Sequence, residues 1–95
     1  MFQIFFAHKL DEFIEEKGLS KTKFGEKIFN TKSGGRIWRT TKDLDRRRHI
    51  SVADCFYIAK ALEKDLPSIV WQICQAASQV NLVEYVDKLW EEREE

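Results

Sequence analysis

Apolar residues recur along this chain at helical spacing, and no stretch shows the alternation of a strand. Phe6, Leu10, Phe13 and Ile14 fall at i, i+4, i+7 and i+8, with Lys9, Glu12, Glu15 and Glu16 outside the stripe, which predicts a first helix closed by Gly18. Ser20 is suited to cap a short second helix that buries Phe24, Gly25 and Ile28, and a turn follows between Phe29 and Ser33. With Ser33 as its cap, a third helix sets Ile37, Trp38, Thr41 and Leu44 on one face and Arg36, Arg39, Thr40 and Asp43 on another. Gly34 and Gly35 weaken its start.

Ser51 and Asp54 form a capping-box variant that opens a fourth helix, along which Val52, Cys55, Phe56, Ala59 and Leu62 share helical spacing. Asp65 caps a fifth helix from about Leu66, with Pro67 tolerated in the first turn and Ile69, Val70, Ile73, Cys74 and Ala77 facing inward. Asn81, with Glu84 three residues on, either opens a sixth helix or continues the fifth. There Leu82, Val86, Leu89 and Trp90 make a narrow stripe beside Glu91, Glu92, Glu94 and Glu95, which either folds back on the core or pairs with a second copy. The expected fold is all-α, a compact bundle of five or six helices, with residues 1–79 as the main domain and 80–95 as an amphipathic C-terminal helix.

The chain of 95 residues is long enough for one core. Its formal net charge of zero conceals a separation. Ten Lys/Arg stand against three Asp/Glu between residues 20 and 48, whereas two stand against six from residue 84 onward. The central third therefore presents a local positive field that a polyanion would meet.

Other chemistry finds little support. The apolar opening from Met1 to Ala7 is short and runs straight into His8-Lys9, so neither a signal peptide nor a membrane span is expected, and the cytoplasm is the expected location. Cys55 and Cys74 lie far from any CxxC spacing and read as two buried, reduced thiols. His8 and His49 have no metal-spaced companions, and no glycine-rich loop follows a strand. No enzyme activity, metal or small-molecule cofactor is expected.

The basic residues suggest a polyanion. Lys21 and Lys23 occupy the first turn of the second helix, where the macrodipole favours acids, so they fit an end that faces phosphate. Arg36, Arg39 and Thr40 share an outward face whose groups suit base edges in a major groove. Trp38, flanked by Ile37 and Thr41, reads as a core anchor in preference to a base-stacking residue. Gly34-Gly35 reads as a flexible turn in preference to a phosphate nest. Arg46, Arg47 and Arg48 either track a sugar-phosphate backbone or form a solubilising loop.

Two segments carry a family likeness. The run from Gly18 to Ile28, GLSKTKFGEKI, resembles the "glsqeeLAekl" stretch of Cro/C1-type (XRE-family) helix-turn-helix proteins. Ile50 to Leu62, ISVADCFYIAKAL, resembles their "psletllklAkaL" helix, and the likeness spans roughly residues 6 to 74. Gly25 replaces the usual alanine, Phe29 stands where a turn glycine is usual, and the stretch between Gly25 and Ala59 is several residues longer.

The resemblance implies a lambda-repressor-like bundle whose third helix enters the major groove of double-stranded DNA, in a repressor-like transcription regulator of a bacterium or its phage. It implies that Lys21 and Lys23 meet phosphate or an outer base and that Gly34, Gly35, Arg36, Arg39 and Thr40 face the groove; with Lys32, Ser33, Arg46, Arg47 and Arg48 these make up the candidate DNA-facing set. It also implies a homodimer, for which Leu82, Val86, Leu89 and Trp90 are the candidate interface. The alternative is a protein-interaction module on the same bundle, such as an antitoxin-like or phage accessory protein. RNA binding ranks last, because no RRM or KH signature is present.

Overall fold

Four of the helices begin where a side chain satisfies a free amide of the first turn. A computed structural model describes residues 1–94, the Glu94 side chain excepted, and Glu95 lies outside the described residues. Its helices are α1 (Phe2–Glu16), α2 (Lys21–Phe29), α3 (Gly34–Thr40), α4 (Val52–Ala61), α5 (Leu66–Ser78) and α6 (Leu82–Glu94), and no strand occurs among the described residues. The protein is therefore an all-α bundle, as the periodicity predicts.

Ser20 accepts from the Lys23 amide, Asp65 from the Ser68 amide and Asn81 from the Glu84 amide. Ser51 and Asp54 make the full reciprocal capping box, at 3.0 Å in both directions. The Asn81 cap starts α6 as a helix of its own. Gly18, at φ +75°, ends α1 in a Schellman turn, with its amide on the Glu15 carbonyl and the Leu19 amide on the Ile14 carbonyl.

The core forms where α1 meets the other helices. Phe5, Leu10 and Ile14 of α1 join Phe24 and Ile28 of α2, Trp38 of α3, Ile58 and Leu62 of α4, and Ile69 and Ile73 of α5. The apolar opening of the chain is the first turn of α1, buried through Ile4, Phe5 and Ala7. In α6, Leu82 and Tyr85 pack against this core, with the Tyr85 ring edge-on to Phe5 at 5.3 Å between centroids. Of the two roles open to the C-terminal stripe, folding back is the one observed. Leu82, Val86 and Leu89 are half-buried, whereas Trp90 is 36% exposed beneath the Arg93 guanidinium.

Several inward positions differ from the sequence reading. α4 buries Ile58, Ala59 and Ala61, and its C-cap Leu62 is buried with them, while Val52 and Phe56 point outward. Its apolar residues encircle the helix, so spacing alone does not choose the buried face. In α5, Ile69 and Ile73 are buried but Val70 and Cys74 are exposed. The expectation of two buried thiols fails for Cys74 and holds only in part for half-buried Cys55, whose thiol is pushed above its ordinary pKa by burial and by Asp54. α3 stops at Thr40, short of the expected face that ran on to Asp43 and Leu44; Trp38 and the C-cap Thr41 are buried, and Ile37 and, beyond the helix, Leu44 are only half-buried.

Candidate nucleic-acid interface

The basic third of the chain folds around one tight crossing. α2 ends at Asn30, which adopts the left-handed conformation at φ 51° and ψ 45°, supplying the turn geometry that Phe29 one residue earlier does not have to provide. Thr31 then organises the turn, accepting from the Ser33 amide at its hydroxyl and from the Gly34 amide at its carbonyl. The Ser33 side chain makes no capping bond, contrary to its expected role.

Gly34 and Gly35 are not a flexible turn. They are the first two residues of α3 and are buried against α2. A Cβ on Gly25 would fall on the Gly34 carbonyl, one on Gly34 would fall on the backbone of Gly25 and Glu26, and one on Gly35 would press on Thr22. Three glycines thus let two helix backbones touch. Their burial at this crossing also removes Gly34 and Gly35 from the outward, DNA-facing set.

Behind α3, a buried carboxylate fixes its orientation. Asp11 of α1 accepts from the Trp38 indole N–H at 2.8 Å on one oxygen and from Lys42 Nζ at 2.5 Å on the other. Lys42 also lies over the Trp38 ring, which meets Phe24 edge-on. His8 is half-buried nearby; burial and then the Lys42 charge hold its imidazole below the ordinary pKa. The sequence reading missed Asp11, although its register gives it away: it follows Ile4 and Ala7 at i+7 and i+4, and all three are buried.

On the opposite side, α3 presents its arginines. Arg36 and Arg39 are exposed. Arg36, Ile37 and Thr40 face Arg46, Arg47 and Arg48 across a cleft of about 370 Å³. The Arg46–Arg48 run is ordered by its surroundings. Asp43 accepts from the amides of Asp45 and Arg46 at 2.7 and 2.9 Å, and these bonds hold its carboxyl below the usual range. The Arg48 amide donates to the Thr40 carbonyl, and its own carbonyl accepts from Gln3 at 2.6 Å. The Arg48 guanidinium covers the Phe29 ring at 4.9 Å.

Arg93 at the end of α6 pairs with Asp45 at 2.6 Å, answering the acid nearest the arginine run. Among the described residues, no carboxylate pairs with Arg36, Arg39, Arg46, Arg47 or Arg48. Four arginines lining one cleft, with Arg39 exposed one helical turn beyond Arg36, can grip an anionic backbone or reach the edge of a base.

The lysines do not join this cleft. Lys21, expected to face phosphate, instead bonds Glu15 at 2.7 Å and lies 3.9 Å from Asp11; the Glu15 bond is the main reason its pKa is raised. Lys23 lines a separate hollow with Lys27, Phe24, Ala61 and Glu63. Lys32 sits at the turn beside Glu26, Asn30 and Thr31. Thr40 spends its hydroxyl hydrogen on the Ile37 carbonyl at 2.6 Å, leaving only acceptor capacity and a methyl.

Among the described residues, no group of three or more His, Cys, Asp or Glu side chains is placed to hold a metal ion, and no helix is long and apolar enough to cross a membrane. Fold and site together define a small all-α protein with an arginine-lined face. No family model, curated protein or solved structure matches the chain.

Proposed function

We propose that this chain is a repressor-like regulator of the helix-turn-helix type that binds double-stranded DNA as a homodimer in the cytoplasm, without a cofactor and without catalysing a reaction. On this reading α3 lies in the major groove, with Arg36 and Arg39 toward base edges and Arg46, Arg47 and Arg48 along the neighbouring phosphates. One observation carries it: Arg36, Arg46, Arg47 and Arg48 surround a single cleft on an exposed side of the bundle. Support comes from the bracing of α3, whose glycine crossing and Asp11–Trp38 bond make it a stiff platform for those side chains.

The test is fluorescence anisotropy on mixed duplex fragments at ~50 mM salt, where binding is expected and where log K should fall with log salt at roughly −0.9 per phosphate neutralised. Absence of binding at that salt would defeat the reading. A protein-interaction module on the same bundle is the second reading, favoured by the commitment of Lys21 to Glu15. It expects a partner whose capture survives high salt and is indifferent to Arg36→Ala and Arg39→Ala.

A further inference from the structure

The outer face of α4 and the adjoining flank of α5 carry apolar side chains that no other element covers. Val52 is 82% exposed, Phe56 57% and Trp71 65%. Phe56 meets the Tyr57 ring edge-on at 5.8 Å between centroids. Across a cleft of about 450 Å³ it faces Leu66 and Pro67 at the start of α5, with Lys60, Lys64 and Asp65 around the opening. Val70, Trp71 and Cys74 follow Pro67 at i+3, i+4 and i+7, so the same flank of α5 extends the surface by two turns.

We propose that this face binds a second copy of the chain, with α4 and α5 packed on their counterparts about a two-fold axis. Allowing ~200 Å² for a whole aromatic side chain and rather less for valine, Val52, Phe56, Tyr57, Val70 and Trp71 together leave roughly 500 Å² of apolar surface in water. That is as large as the biggest apolar patch a typical monomer exposes, ~300–600 Å². A stable interface takes ~800 Å² from each partner, so the polar rim of Lys60, Lys64 and Asp65 has to supply the remainder. The rim carries both signs, Lys60 and Lys64 beside Asp65, as a surface that must meet its own copy requires. The α6 stripe offers less, because Leu82, Val86 and Leu89 are already half-buried within one chain. The inference stands on this face alone, and it would supply the dimer that the duplex reading calls for.

Sedimentation velocity of the full chain, in reducing buffer and without DNA, tests it. At micromolar concentration the mass should be twice the 11.3 kDa of the chain. Phe56→Asp and Trp71→Asp, both at exposed positions, should each weaken self-association by at least ~30-fold with unchanged helical circular dichroism, the scale of losing an anchor aromatic. Leu89→Asp and Trp90→Asp should leave a dimer. A monomeric wild type would overturn the proposal and assign the face to a different protein, and a dimer broken only by the α6 substitutions would overturn it in favour of α6. Since no DNA is present, either failure leaves the duplex reading to its own titration.

Discussion

Asp11 is the single side chain on which the placement of α3 most depends. It is buried, and it answers both the Trp38 indole and the Lys42 ammonium. Removing one partner of such a pair strands the other, so Asp11→Ala is expected to lower the free energy of unfolding by about 3 kcal/mol in a urea titration. Lys42→Met on the Asp11→Ala background should recover part of that loss, because the unpaired ammonium disappears. His8 gives a pH signature. Its folded pKa lies below the ordinary value, so the unfolded chain binds the extra proton, and the stability it contributes is present above the ordinary histidine pKa and lost as pH falls through the folded value. Thermal melts should show stability declining on acidification through that window, and His8→Leu should flatten the decline. Arg39 makes a third residue-scale case: Arg39→Ala should cost about 1–3 kcal/mol at a preferred DNA site and relax specificity there, whereas Arg47→Ala should weaken all duplexes alike and reduce the salt slope by about one.

At the scale of elements, helix starts were the most legible feature, because a cap is local chemistry. Ser20, Ser51 with Asp54, Asp65 and Asn81 all act where the sequence places them. Ser51→Ala should therefore cost about 1 kcal/mol by chemical denaturation. What spacing did not reveal is which side of an element is buried when both sides are apolar. Val52 and Phe56 share helical spacing with Ala59 yet face water, since Ile58, Ala61 and Leu62 already fill the core side of α4. The glycines of α3 misled for a related reason. A pair of glycines signals local freedom, and only the tertiary crossing reveals that Gly25, Gly34 and Gly35 are needed for the absence of a Cβ. Gly34→Ala should destabilise the protein by about 2 kcal/mol or more, because backbone has to move, despite the better helix propensity of alanine. Gly18→Ala meets nothing within 4 Å, and its loss should come only from the positive φ.

Across the whole molecule, charge segregation was legible and charge pairing was not. The excess of lysine and arginine between residues 20 and 48 divides in three dimensions: Lys21 and Lys42 pair with acids of α1, and the arginines stay free of carboxylates among the described residues. Sequence separation hides the partners, as Arg93 reaches Asp45 from the far end of the chain. Helix α6 thereby ties the end of the bundle to the arginine run while its own stripe folds onto α1. The most direct trial is an amide-resolved NMR titration of the full chain with a short DNA duplex at low salt. Shifts are expected to concentrate at Arg36 to Thr40 and Arg46 to Arg48 and to fade as salt is raised; shifts confined to α4 and α5, or none at all, would contradict an arginine face built to meet a duplex.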